Sequence, residues 1–373
     1  MFVFFPLQDT IWDAALRAPF SRLQANRYWN MAAMHQPPLL GRTRRRDPLA
    51  FPVAGALLTL AALAGCGTAG STSSPTLEVE VAALLDSLPA LTSMYARQPA
   101  TGREVAIRAD VPVNTLSTIK IPILIQAYRD VDQGLLDLDV RYRIQPEDLR
   151  RGSGLIQTFA TGLEPTVRDL ITQMLITSDN TATDIVLQMV DMDRVNRTME
   201  ELGFRETRVQ TSTGNLFRRV WELLDPAHAE LSHREVYERG FPRDDAAADR
   251  SFAFEGTPNE WLGRSTAREM SLILEHLVAG DLASAESTAE MIGILNRQFY
   301  ASRLPRRIGS RAQVAHKTGD WPPIAGNDVG IIFGPGDPFV VSIFATQNTG
   351  DFLELEDAHA RIAELLLNAW GGG

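Results

Sequence analysis

A serine, Ser117, stands three residues before a lysine, Lys120, in the stretch NTLSTIKIPILIQAYRD at residues 114–130. Turn and strand residues give way there to an apolar helix. A serine hydroxyl is a poor nucleophile until a base takes its proton. Residues i and i+3 share a helix face, so Lys120 falls within reach of that hydroxyl. A protonated lysine cannot be a base, but burial and a nearby second cation both favour the neutral amine. A helix start also offers backbone N–H groups and a positive dipole end to a developing oxyanion. Two further motifs follow along the chain, Ser178-Asp179-Asn180 and Lys317-Thr318-Gly319. The first interrupts two helical patterns, the second lies on a strand, and Lys317 is the candidate second cation. Each motif alone has an ordinary reading. Lys120 could be a snorkelling surface lysine, Ser-Asp-Asn a helix cap, and Lys-Thr-Gly an edge strand ending in a turn. Their order and their placement together favour one site.

This set resembles the signature of the penicillin-recognising serine hydrolases, the class A β-lactamases and penicillin-binding proteins. The likeness runs through nearly all of residues 77–373, in phrases such as SGLIQTFATGLEPTVRDLITQMLITSDNTATDIV, RSTAREMSLILEHLVAG and VAHKTGD. It implies an α/β (α+β) fold of β-lactamase type: a five-stranded antiparallel sheet flanked by helices, an all-α lobe, and an active site in the cleft between them. It implies an oxyanion hole made by the N–H groups of Ser117 and Asp320. Ser178 would relay a proton to the leaving nitrogen, and Asn180 would hydrogen-bond the substrate's amide side chain. Lys317, Thr318 and the adjoining Gly319 would hold its carboxylate. The substrate would be a β-lactam. A D-alanyl-D-alanine cell-wall peptide, which the lactam mimics, would be served by the same residues, so a peptidase or related amidase or esterase is the alternative. A non-catalytic lipoprotein that binds cell-wall peptides is a third reading, against which the intact serine and lysines argue. No cofactor or metal is expected, because no group of His, Asp, Glu and Cys has metal-ligand spacing. His316, beside Lys317, reads as a strand residue without a catalytic part.

The elements that must position these residues are legible from periodicity. SMYARQ and EVAIRAD flank PATG as a hairpin. QVAHKTGD, DVGIIFG and FVVSIFATQ are strands of rising apolarity. Ser117–Val131 reads as a helix with Pro122 in its first turn. LEVEVAALLDSL, the segments either side of Ser178, MDRVNRTMEELG, TAREMSLILEHLVAG, ESTAEMIGILNRQ and DAHARIAELLLNAW read as further helices. With strands at both ends and helices between, one sheet and one helical lobe follow.

One departure bears on turnover. Class A enzymes carry a Glu-x-x-Leu-Asn stretch whose glutamate positions the water that hydrolyses the acyl-enzyme. Here TSTGNLFRR occupies that place, with Thr213 in the glutamate's slot, Leu216 in the leucine's and Phe217 in the asparagine's. Glu222 and Asp225 are the nearest replacements, through a shifted loop. A long polar insertion follows at about 218–263, with Trp221, Tyr237, Phe241, Phe252 and Trp261 interspersed. A segment of that length is expected to form a structured wall or lid near the site.

The chain has 373 residues, 45% hydrophobic and 22% charged, with a net charge of -10, which is globular usage without the basic face of a nucleic-acid binder. Its one cysteine, Cys66, excludes an internal disulfide. Arg42, Arg44, Arg45 and Arg46 precede an apolar run from Leu49 to Gly65, and LAGC closes it, which resembles a bacterial lipoprotein signal with Cys66 as the acylated residue. Residues 34–65 are then the signal and 66–76 a flexible Gly/Ser/Thr tether. Residues 1–33 are expected to be an unstructured upstream extension, with Met31 or Met34 the working start. The expectation is an exported, lipid-anchored monomer, periplasmic or at the cell surface.

Overall fold

A computed structural model describes residues 76–244 and 246–371. The expected extension at 1–33, the signal at 34–65, Cys66 and all of the tether but Thr76 lie outside the described residues.

The hairpin is β1 (Leu91–Gln98) and β2 (Arg103–Ile107). The three late strands are β6 (Gln313–Trp321), β7 (Ala325–Phe333) and β8 (Phe339–Thr346). All five join in one antiparallel sheet of order β2-β1-β8-β7-β6, so the first and last strands of the sequence meet at its centre. Every residue of β8 is buried, as a strand covered on both faces must be. Its alternation splits the core in two. Phe339, Val341 and Ile343 pack with Val81 and Leu85 of α1 (Leu77–Asp86) and with Ile362, Leu366 and Trp370 of α11 (Phe352–Trp370). Val340 and Phe344 face α9 (Ala267–Ala279) and the helical lobe through Met270, Ile273 and Leu274.

The lobe is built around α2 (Lys120–Asp132), with ten of its thirteen residues buried, the pattern of a helix surrounded by others. Around it stand α3 (Val167–Ile176), α4 (Asn180–Val190), α5 (Met192–Glu201) and α10 (Ala285–Leu295). A second small sheet, not foreseen from periodicity, has the order β3-β5-β4, from Val113–Asn114, Gly263–Ser265 and Arg208–Val209. Strands of two or three residues are too short to show alternation. This sheet ties the segment before Ser117 to the end of the insertion at Gly263, and that in turn to Arg208–Val209.

The described residues of the insertion are folded. The insertion runs from the end of α6 (Thr213–Glu222) through α7 (His233–Arg239) and α8 (Ala247–Glu255). Its aromatic residues fasten it to itself and to the neighbouring lobe. Phe241 meets Phe217 edge to face, and the Trp221 indole N–H donates to the Gly240 carbonyl at 3.0 Å. Tyr237 stacks under Arg151 and donates its hydroxyl to the Gln157 carbonyl at 3.1 Å.

Candidate active site

Ser117 does not begin a regular α-helix. It is the second residue of a tighter 3-10 turn, Leu116–Ile119, and α2 starts at Lys120. Leu116 has φ 48°, in the left-handed region that a branched side chain rarely adopts. Strain of this kind persists only where the surroundings hold it. Here β6 presses on the turn. A Cβ on Gly319 would stand 2.6 Å from the Thr115 carbonyl oxygen and 3.1 Å from the Ser117 nitrogen, so only glycine lets strand and turn approach. Gly319 thus brings the strand carrying Lys317, Thr318 and Asp320 against the Ser117 N–H.

The two lysines meet at Ser178. The Lys120 Nζ lies 3.1 Å from Ser178 Oγ, 2.7 Å from the Ser178 carbonyl oxygen and 3.0 Å from Asn180 Oδ1. The Lys317 Nζ lies 3.1 Å from the same Ser178 Oγ and 2.7 Å from the Thr318 carbonyl oxygen. Both lysines are fully buried. Burial, with Lys317 close by, holds the Lys120 amine well below the usual lysine range. Burial also brings Lys317 down to about 7, with Asp320 and Asp328 pulling it up and Arg303 pushing it further down. Ser178 has φ 56°, and the next residue, Asp179, caps α4 by accepting from the Ala182 N–H at 2.9 Å. The Ser-Asp-Asn segment is therefore a helix cap and a cluster member at once. Asn180 also donates to the Arg151 carbonyl at 3.0 Å. Thr318 is buried, with no hydrogen-bond partner for its hydroxyl among the described residues.

Asp320 turns its carboxylate onto Arg303 at 2.5 Å. Arg303 is buried beneath the Lys-Thr-Gly strand and also faces Glu356 at 3.5 Å. The sequence reading did not pick it out, because SRLPRR looks like an ordinary polar turn. His316 is a buried strand residue bonded through Nδ1 to Asp328 at 2.8 Å.

The glutamate's slot holds a carboxylate neighbour but no carboxylate. Thr213 is buried, and its hydroxyl and N–H both donate to Asp184 Oδ1, at 2.6 and 2.8 Å. Asp184 is itself paired with Arg150 at 2.6 Å and accepts the Gly214 N–H at 2.9 Å. All its oxygens are thus engaged in pinning the start of α6. Replacing Arg150 with Met leaves Asp184 buried without its cation. Stability should fall by about 3 kcal/mol, the usual scale for breaking a buried pair. Urea unfolding measures this, and an unchanged midpoint would show that the pair does not hold α6 in place.

Glu222 and Asp225 do not come to this position. Glu222 lies nine residues along α6 from Thr213, about 13 Å at the helical rise, and pairs with Arg219 at 2.8 Å. Asp225 caps the next turn by accepting from the Ala227 N–H at 2.9 Å. Proximity in sequence misled because α6 runs away from the lysine cluster instead of looping back to it.

The insertion reaches the site elsewhere. Phe254 of α8 lies against Trp321 of β6, with ring centroids 6.3 Å apart. The next residue, Glu255, accepts from Asn114 Nδ2 at 2.8 Å, three residues before Ser117.

Residues 76–370 match the model of the β-lactamase enzyme family. The chain belongs to that family. A β-lactamase of Streptomyces fradiae is 26% identical over 330 residues, covering 87% of this chain and 94% of its own. The crystal structure of a β-lactamase from Sphaerobacter thermophilus superposes with a TM-score of 0.62 at 26% identity, over 78% of this chain and 95% of that one. An ancestral class A β-lactamase shares the fold with a TM-score of 0.63 at 23% identity, over 79% and 100% of the two chains. The fold is the mixed α/β architecture of the β-lactamase family, and the protein is a β-lactamase-like serine hydrolase.

Proposed function

We propose that the protein opens β-lactams by acylation at Ser117 and releases the product slowly. The supporting observation is the convergence of the Lys120 and Lys317 amines, each 3.1 Å from Ser178 Oγ, beside the turn that carries Ser117. In this reading neutral Lys120 takes the proton from Ser117 Oγ, which attacks the lactam carbonyl. The N–H groups of Ser117 and Asp320 hold the oxyanion. Ser178, in contact with Lys120, delivers the proton to the ring nitrogen as the C–N bond breaks. Asn180 orients the acylamino side chain, and Lys317 with Thr318 takes the carboxylate. The ester on Ser117 then awaits a water. Thr213 supplies no base for it, and Asp184 is committed to Arg150 and to α6, so hydrolysis is the slow step.

The same shortage of a water-activating base favours a second reading, a peptidase acting on D-alanyl-D-alanine peptides that lactams trap. Mixing the purified protein with a chromogenic cephalosporin tests the first. A burst of about one product per protein followed by a slow steady phase is expected. Fast turnover without a burst would contradict slow release. A burst with no later turnover would favour the peptidase. No colour and no covalent adduct would leave only a binding protein.

The pH dependence follows from the two lysines. Acylation at saturating lactam should fall as pH drops through the depressed value of Lys120, because the protonated amine is no base. Binding of the lactam carboxylate should weaken as pH rises past about 7, where free Lys317 loses its charge. Stopped-flow separation of binding from acylation resolves the two limbs. Acylation that stays flat on acidification would remove Lys120 as base.

The basic run, apolar run and Cys66 support export and lipid anchoring as a monomer on the outer side of a membrane. Metabolic labelling with a fatty-acid analogue should mark the wild type and not Cys66→Ala; equal labelling of both would refute anchoring at Cys66.

A further inference from the structure

The carboxyl group that the insertion brings to the nucleophile's segment is that of Glu255, at Asn114. Glu255 is 3% exposed at the end of α8, and its own carbonyl accepts the Trp261 indole N–H at 2.8 Å. One carboxyl oxygen, Oε2, accepts from Asn114 Nδ2 at 2.8 Å, and Oε1 has no partner among the described residues. The amide of Asn114 is thereby oriented so that its Oδ1 accepts the Leu116 N–H at 3.0 Å. The Asn114 carbonyl accepts from Asn327 Nδ2 of β7 at 2.9 Å, which fixes the same residue from the sheet side. Leu116 is the residue held at φ 48°, and the next N–H along the chain is that of Ser117. The rest of the contact is tight. A Cβ on Gly263, at the end of the insertion, would meet Ile119 Cγ1 at 2.4 Å and Thr115 Oγ1 at 2.8 Å, and the Thr115 N–H donates to the Gly263 carbonyl at 3.0 Å.

We propose that Glu255 is a positioning residue for acylation: through Asn114 it holds the Leu116–Ser117 turn in the strained geometry that aims the Ser117 N–H and hydroxyl at a substrate carbonyl. The proposal rests on Ser117 being the acylated serine. Nothing in it needs a charge. Burial raises the carboxyl to about 8, so at neutral pH it is chiefly the neutral acid, and glutamine is its nearest mimic. The insertion, distant from Ser117 in sequence, then contributes one buried hydrogen bond to the segment that leads into the nucleophile's turn. Such a contact acts on catalysis because misplacing a reacting group by about 1 Å can cost on the order of a hundredfold in rate.

The test follows penicillin acylation by stopped flow, separating the non-covalent dissociation constant from the acylation rate constant. It compares the wild type with Glu255→Leu, Glu255→Gln, Asn114→Ala and the double variant Glu255→Leu/Asn114→Ala. Glu255→Leu and Asn114→Ala should each slow acylation by about tenfold or more, with the dissociation constant unchanged within about twofold. Glu255→Gln should recover most of the rate. The double variant should be no slower than the worse single one, since both cut a single path. If Glu255→Leu fails to fold, Asn114→Ala and Glu255→Gln still decide. The idea is overturned if Asn114→Ala acylates at the wild-type rate, if Gln is as slow as Leu, or if binding and acylation decline together. A wild type that takes up no penicillin would instead remove the reading of Ser117 on which the proposal stands.

Discussion

Ser117→Ala protein should take up no penicillin, and its hydrolysis of a chromogenic cephalosporin should fall by on the order of 10⁵-fold or more, the scale on which serine hydrolases lose activity with their nucleophile. The fold should not register the change. Ser117 is half-buried, and the turn that carries it is held by backbone and neighbours: the Lys120 N–H bonded to the Ser117 carbonyl, Asn114 bonded to Leu116, and Gly319 packed against the backbone. The check is a pair of measurements on one preparation, cephalosporin hydrolysis and the thermal midpoint. Retained hydrolysis at a hundredth of the wild-type rate or better would place the chemistry on another residue. Loss of hydrolysis together with a collapsed midpoint would show instead that Ser117 is structural.

Lys120→Met separates the base from its surroundings. Methionine fills much of the lysine volume without a charge or a donor. Acylation should drop by about a thousandfold, within the range that a positioned general base contributes. Stability should move little, and in a direction set by two opposed terms. The Ser178 and Asn180 oxygens lose a donor, which costs up to a few kcal/mol. Against that, a buried amine beside a second lysine is no longer kept out of water. Lys317 should keep its proton affinity, because the Lys120 amine, held well below the usual lysine range, is the neutral base and puts no charge beside it. The variant should therefore still bind the lactam carboxylate, with the same weakening as pH rises past about 7. Acylation that survives within tenfold would mean that the base lies elsewhere.

How much of this was legible in the sequence depends on the range of the interaction. Strand β8 buries every residue, so its continuous apolar run identified it, and α2 announced itself in the same way. Ser117, Lys120, Ser178, Asn180, Lys317 and Thr318 could be named together because their short motifs survive as letters. What the letters do not carry is the packing between them. The left-handed Leu116 is an ordinary leucine in the sequence; it is strained only because Gly319 and Asn114 hold it so. Arg303 looks like one of several arginines until its burial beneath Asp320 is seen. Glu222 and Asp225 are the carboxylates near Thr213 in sequence, but α6 carries Glu222 away, and Glu255, thirty-three residues beyond Glu222, is the one folded against the nucleophile's segment. Its only local mark is a charge in the apolar stretch SFAFEG, a weak signal without the fold.

The most direct test mixes the wild-type protein with penicillin, quenches at intervals with acid, and reads first the intact mass and then the digested peptides. The expected result is a mass increase equal to one whole penicillin molecule, since ring opening expels nothing, found on the peptide that contains Ser117 and decaying slowly. An unchanged mass at every time, or a penicilloyl group on a different residue, would contradict the assignment of Ser117 as the nucleophile that three distant segments assemble around.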